Sequence, residues 1–561
     1  MKSRLLRNVD ATATCSRIIR RMHYRLLGFT LVALSMPVSS VALADPAGSP
    51  SPSAASPSAP QNIPQDSKLG GGSVIYPGPA AVPGGAADSY MIPLRLMLDK
   101  HLITQAEYDS AMKDLADTTG VRAGDQVNFV LGKWSTTLYG FAEADYIYDT
   151  TGSLIDDSGN SQIARGGTYA GDHPRMQFGV RNSRIGFRMR APESHSIRAS
   201  ALIETDFFQA SAAGSGLTVN PGSTTTSNAY GTEQSFFTNP VLRVRHAYLK
   251  LETPVVDFLF GQYWHLFGWQ PLYNPATVQI QGIEGEIYSR TPQLRISKTI
   301  GAGGPVTLEI AVAAERPPQR DSATPEGTAG LRLTVNRLQG MYTAGQVNTS
   351  LAPMSIAVSG DLVHVALPEF LASPKASVPK TGTAFAANIF VPVLPASKTH
   401  KGNTLSVVGQ AAYGYGISDL FTGLTGGVGF PALANPPAPP AVAPVYAANI
   451  DPGIATYDSN GNLHFIQWIA VLAGAQYYVP GLDGKMFVSA NYSHLESPNT
   501  GDYFPNSKSV RKAQDWWDVT VMGDITDAVR LGVEYANTRD EYLDGNHARN
   551  QRGQVSAWYI F

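Results

Sequence analysis

From Trp134 to Phe561 apolar and polar residues take turns along the chain. Val529, Leu531, Val533 and Tyr535 alternate with Arg530, Gly532, Glu534 and Ala536, and Val488, Ala490 and Tyr492 alternate with Ser489, Asn491 and Ser493. Leu138, Gly140, Ala142, Ala144 and Tyr146 interleave in the same way with Tyr139, Phe141, Glu143 and Asp145. Successive side chains of a strand point to opposite faces, so a period of two gives each run one apolar and one polar face. Sixteen such runs are expected, at 134–148, 174–190, 196–208, 240–251, 254–262, 291–299, 305–315, 328–336, 353–366, 381–394, 402–416, 463–478, 485–496, 514–523, 529–539 and 551–561.

The connections differ in length by turns. Short ones include 191–195, 252–254, 301–304, 480–484 and 524–527; long ones fall at 149–173, 209–239, 263–290, 316–327, 367–380, 417–462, 497–513 and 540–550. Two connections on the short side, 337–352 and 395–401, are longer than the rest. Short turns on one side and long loops on the other are the pattern of an all-β, transmembrane antiparallel β-barrel, closed because lipid offers no partners to an open edge. Aromatics near the run ends (Tyr146, Tyr148, Tyr477, Tyr478, Trp516, Trp517, Trp558, Tyr559) suit interfacial girdles. A secreted sandwich would need two strand sets packing apolar faces together, which sixteen runs with polar opposite faces fit less well. The last run ends on Trp558-Tyr-Ile-Phe561, which resembles the terminal signal of bacterial outer-membrane barrels.

Ahead of the strands lie three segments of other character. Residues 1–44 read as a signal peptide, with basic residues up to Arg25, an apolar stretch from Leu26 and the small-residue site Ala42-Leu43-Ala44; Met22 is an alternative start. Residues 45–90 are Pro, Ala, Ser and Gly at most positions and read as a flexible tether. Residues 91–130 carry helical spacing (Leu94, Met97, Leu98; Tyr108, Ala111, Met112, Leu115) with a capping box at Thr104 and Glu107, a short periplasmic helical extension suited to oligomerisation or to spacing. The barrel is expected over 131–561. Charged residues make up 15% of the chain, well below the roughly 25% of soluble proteins. The single cysteine, Cys15, falls in the signal peptide, so no disulfide is expected. An acidic balance of charge does not suit a nucleic-acid partner.

Leu138-Tyr-Gly-Phe-Ala-Glu-Ala-Asp145, Asn182-Ser-Arg-Ile-Gly-Phe187, Arg245-His-Ala-Tyr-Leu249 and Phe258-Leu-Phe-Gly-Gln262, in this order after a helical prefix, resemble the early strands of bacterial porins. The set resembles the DcaP-like trimeric porins over roughly 90 to 300 and at the terminus. That resemblance implies a sixteen-stranded homotrimeric channel in the outer-membrane lipid, inserted by the barrel assembly machinery through its C-terminal strand. It also implies a preference among small hydrophilic solutes for anions such as carboxylates.

Two groups of residues could carry such a preference. The loop 263–290 follows the fifth run and is too aromatic for a solvated loop; folded inward it would bring Trp264, Trp269, Tyr273, Glu284 and Glu286 to a constriction, whereas packing on a neighbouring subunit is the plainer alternative. Arg184, Arg188, Arg190, Arg198, Arg243, Arg245, Arg290 and Arg295 are the second group. Where strand faces can be read, these arginines oppose the apolar face, and a guanidinium at the bilayer midplane costs roughly 2–4 kcal/mol, so the lumen is their cheap side. There a forked donor meets carboxylate or phosphate oxygens, the means by which arginine rings select anions. The same arginines can instead pair with Glu143, Asp145, Glu204 and Asp206 and brace the wall; a mixture is expected. No catalytic, metal-ligating or cofactor motif is present, and Asp458-Ser-Asn-Gly-Asn462 reads more simply as a turn than as a calcium loop. The competing readings are an envelope-tethering barrel and, behind it, an outer-membrane enzyme barrel.

Overall fold

The computed structural model describes Lys100, Thr104, Val127–Leu131, 134–158, 162–209, 241–280, 282–317, 322–370, 375–424, 453–458 and 460–561. The expected signal peptide and tether lie outside these residues, as do the helical segment 91–130 except Lys100, Thr104 and 127–130, and the Pro/Ala-rich stretch 431–444.

Among the described residues sixteen antiparallel strands pair in chain order and the sixteenth returns to the first. They are Trp134–Asp149, a second strand broken into Arg175–Gly179 and Arg184–Arg190, Arg198–Gln209, Val241–Glu252, Asp257–Trp264, Arg290–Ile300, Val306–Glu315, Glu326–Ala344, Asn348–Pro368, Ser377–Leu394, Thr404–Tyr415, Gln467–Tyr478, Met486–Glu496, Arg511–Asp524, Val529–Tyr542 and His547–Ile560. Each overlaps one of the expected runs. Closure pairs Phe141 with Ile560 and Asp149 with Arg552. Below that pairing Gly140 and Phe561 exchange backbone hydrogen bonds of 2.9 and 3.0 Å. A Cβ on Gly140 would stand 2.2 Å from the Arg184 carbonyl oxygen, so the seam admits only glycine there. On the inner side Arg552 pairs with Asp149 at 2.8 Å and Gln554 with Asp145 at 3.2 Å.

The faces are inverted relative to a water-soluble domain. Val533, Tyr535, Val555, Tyr559, Val519 and Ile356 are among many large apolar side chains pointing out and exposed, while Glu534, Gln554, Ser556, Asp518 and Thr520 point in and are buried. An exposed apolar belt of that extent around a polar interior suits hydrocarbon as the outer solvent.

Three details depart from the sequence expectation. The sheet begins before residue 131: Val127–Leu131 pairs with Trp134–Leu138, below the place where the sixteenth strand stops. The connection 540–550 is a tight turn, since the fifteenth strand runs to Tyr542 and the sixteenth starts at His547. The stretch 337–352 is no loop, because the eighth and ninth strands continue through it as a hairpin from Gln339↔Pro353 to Ala344↔Asn348, past a bulge after Val335. Asp458, as read, heads a turn: its carboxylate accepts the Asn460 and Asn462 amides at 2.8 and 2.9 Å, between the short strands Ala455–Tyr457 and Leu463–Phe465.

Candidate functional site

The interior is organised by the third long loop, which leaves the fifth strand after Trp264 and rejoins the wall at Arg290. It folds inward and crosses the barrel. At its root the Leu266 amide donates to Glu315 (3.0 Å) and His265 lies 3.1 Å from the same carboxylate. Trp269 then donates its indole N–H to the Val358 carbonyl (3.0 Å) and covers Gly330, where a Cβ would come within 2.7 Å of the indole nitrogen. The Tyr273 hydroxyl donates to Ser355 (2.9 Å). On the far wall the Ala276 carbonyl accepts from Asn491 and Ser489 (both 2.8 Å), and Glu534 accepts the amides of Val278 (2.6 Å) and Gln279 (3.1 Å). Arg552 donates to the Gln279 side chain at 3.1 Å. The loop returns with the Ile287 amide on Gln410 (2.9 Å).

Burial decides what the aromatic and acidic members of this loop do. Trp264, Trp269, Tyr273, Glu284 and Glu286 are all less than a tenth exposed, and of these Trp269 and Tyr273 tie the loop to the wall through Val358 and Ser355. Burial pushes the carboxyls of Glu284 and Glu286 up to about 8. Glu286 accepts the Ile283 amide (3.0 Å) through one oxygen, while its other oxygen is buried without a partner, as is one oxygen of Glu284. A buried carboxyl so placed holds its proton.

The side of the lumen beneath the loop is divided. On the ninth to sixteenth strands the inward residues are buried, many of them against an apolar cluster that includes Phe267, Ile287, Phe421, Phe465 and Trp468. On the second to eighth strands buried inward groups such as Glu204, Asp206, Arg245, Glu315 and Glu326 lie among partly exposed ones, Arg184, Arg188, Arg243, Arg290 and Arg295. Four of them meet carboxylates. Arg245 pairs with Glu204 (2.8 Å) and Asp206 (3.1 Å), Arg243 with Asp206 (2.6 Å), Arg184 approaches Glu204 (3.7 Å), and the exposed Arg198 pairs with Glu252 (3.3 Å). Glu143 and Asp145 take none of the eight. A bulge opposite Glu204/Thr205 makes Arg245 the extra residue of the fourth strand, which turns Arg243, Arg245 and His246 all inward; a bulge re-aims side chains in this way.

The other four arginines have no carboxylate within ion-pair distance among the described residues. Arg188 stacks over Tyr139 at 5.0 Å, Arg295 over Tyr263 at 5.4 Å, and Arg290 over Trp264 at 5.0 Å, with one Arg290 guanidinium nitrogen buried and unpartnered. Arg190 is exposed at the end of its strand. Burial alone would raise the Tyr288 phenol, but Arg245, Arg290 and Arg184 outweigh it and hold it down to about 8. Sequence reasoning missed Tyr139, Tyr248, Tyr263 and Tyr288 in this setting; the inward register of Tyr139 beside Glu143 was the available signal for the first.

No protein-family model and no curated protein sequence matches the chain. Among solved structures it is similar to the outer membrane channel DcaP of Acinetobacter baumannii, at 19% identity and a TM-score of 0.52, covering 78% of this chain and 100% of that one. Salmonella typhi OmpF in complex with daunomycin (9% identity, TM-score 0.43, covering 78% and 100%) and OmpT of Vibrio cholerae (10%, 0.41, covering 78% and 100%) stand further off. Sixteen strands closed in order, with the third long loop inside, give this chain the fold of the outer-membrane porins, shared with DcaP.

Proposed function

We propose that the chain is a passive diffusion channel of the Gram-negative outer membrane that prefers small anionic solutes, carboxylates among them. The observation that carries the preference is the wall of the second to sixth strands, where Arg188, Arg190, Arg290 and Arg295 have no carboxylate within ion-pair distance among the described residues. Guanidiniums keep their charge in a lumen, and the aromatic faces beside Arg188, Arg290 and Arg295 hold those forks in place without neutralising them. Glu204 and Asp206 offset two of the three charges on Arg184, Arg243 and Arg245, so one positive charge of that group adds to the other four. The fold shared with DcaP supports the channel reading. Homotrimeric assembly, entry through the barrel assembly machinery and a periplasmic position for residues 45–130 belong to the same proposal.

Reversal potentials of the purified protein in planar bilayers, under a potassium chloride gradient, test it. Anion selectivity is expected, and Arg188→Gln with Arg190→Gln and Arg295→Gln is expected to shift the reversal potential toward zero. Cation preference in the unmodified protein refutes the anion reading; a barrel that never conducts refutes the channel. Deleting residues 45–126, which spares the edge strand Val127–Leu131, separates the channel from the envelope-tethering alternative, because conductance is expected to survive the deletion.

A further inference from the structure

The hairpin formed by the eighth and ninth strands lies on the side of the short turns, yet it does not stop at the wall. Beyond Gln339↔Pro353 it turns inward, and Met341, Tyr342 and Thr343 are buried. Gln476 of the twelfth strand holds Thr343 by both its amide (2.8 Å) and its carbonyl (2.9 Å), and Ser406 of the eleventh donates to the Met341 carbonyl (2.7 Å). The tip crosses the lumen. Arg530 of the fifteenth strand donates to the Gln346 carbonyl (2.8 Å) and to the Thr349 hydroxyl (2.9 Å). Asn182, delivered by the break in the second strand, donates to the Gln346 side chain at 2.6 Å. Strands eight and nine stand half the circumference away from strands one, two and fifteen.

At the tip the hairpin meets the third loop. Gly345 and Ala276 form a parallel bridge, with hydrogen bonds of 3.1 Å to the Pro275 carbonyl and 3.3 Å from the Thr277 amide. Gln346 donates to the Val278 carbonyl at 2.9 Å. The loop arrives from the long-loop side and the hairpin from the short-turn side, and they join inside the barrel.

We propose that the hairpin and the third loop together form a septum, with Gln346 as its keystone, that closes one side of the lumen and sets the size limit of the channel on the arginine side. This rests on the channel reading above. The tip joins six polar contacts that no wall strand needs for its own pairing, and it ties a turn to the loop across the full width of the barrel. A turn left in solvent would have no such partners.

The test uses the full chain and neutral sugars of graded size, so that charge selection does not enter. Replacing 340–352 by a short Gly–Ser turn between Gln339 and Pro353 is expected to raise single-channel conductance about twofold and to admit larger sugars into liposomes. Gln346→Ala is expected to move both readouts the same way by less. In the Asn182→Cys/Gln346→Cys variant a short bifunctional thiol reagent is expected to bridge the two positions, since no other cysteine lies in the barrel. A protein that conducts while the Gly–Ser and Gln346→Ala variants keep its conductance and sugar limit overturns the proposal. If the Gly–Ser variant does not fold, Gln346→Ala decides alone. If the unmodified protein does not conduct, the channel reading falls, and thiols that cannot be bridged then overturn the septum separately.

Discussion

The docking of the third loop is expected to loosen as pH rises. The perturbation is titration of Glu286, whose carboxyl moves from its ordinary 4.5 to about 8 when the loop docks, because docking buries it. The sign follows from the direction. Below about pH 4.5 the group is protonated whether the loop is docked or released, and docking keeps its full strength. Between that pH and about 8 the released loop ionises while the docked one holds its proton, so docking weakens steadily and the loss levels off above about 8. At pH 7 the difference is about 3 kcal/mol for this one carboxyl. About 3 kcal/mol equals three ordinary hydrogen bonds at roughly 1 kcal/mol each, so it can shift a loop held by a dozen of them without releasing it. Hydrogen exchange of residues 276–288, read by mass spectrometry at pH 5 to 9 and corrected for the intrinsic base-catalysed rate, measures the docking equilibrium. Exchange is expected to speed up across that range, and Glu286→Gln, which keeps an acceptor for the Ile283 amide, is expected to flatten the rise in part, leaving Glu284 to supply the rest. An unmodified protein whose corrected exchange is flat from pH 5 to 9, or a Glu286→Gln variant with an unchanged slope, would refute the reasoning.

Glu534→Ala strips the acceptor from the Val278 and Gln279 amides and from Thr520, and is expected to cost about 3 kcal/mol of barrel stability, seen as a lower temperature for loss of the heat-modifiable band. Gly330→Leu places a side chain where the Trp269 indole lies, so about 1–3 kcal/mol of overpacking and a shifted tryptophan emission are expected. Gly140→Val collides with the Arg184 carbonyl at the seam and is expected to leave most of the protein unclosed, measured as protease-sensitive chain after refolding.

The strands were legible because each has lipid on one side and protein on the other, which writes a period of two into the sequence. Where that contrast fails, so does the reading. Gly340-Met-Tyr-Thr343 is covered on both faces inside the lumen, loses its alternation, and reads as a long turn instead of a hairpin. The break at 180–183 and the bulge at Arg245 leave no periodic trace either, since each is set by what the inward side chains meet: Asp156 and Gln346 for the first, Glu204 and Asp206 for the second. The inward loop was legible from its aromatics, but the wall partners of Trp269 and Tyr273, Val358 and Ser355, were not, because they lie 89 and 82 residues further along the chain. Which arginines are neutralised depends on neighbours in adjacent strands, and register alone does not reveal it.

The short strand Val127–Leu131 occupies the edge of the first strand just past the point where Phe561 pairs with Gly140. That makes it a stop for the closing strand. A sixteenth strand sliding two residues further would have to evict Val127 from Leu138, while one falling short would leave Gly140 unpaired between two occupied stretches. The chain thus carries its own ruler for the closing strand, and a peptide appended after Phe561 has room for one residue opposite Tyr139 before it must leave the sheet.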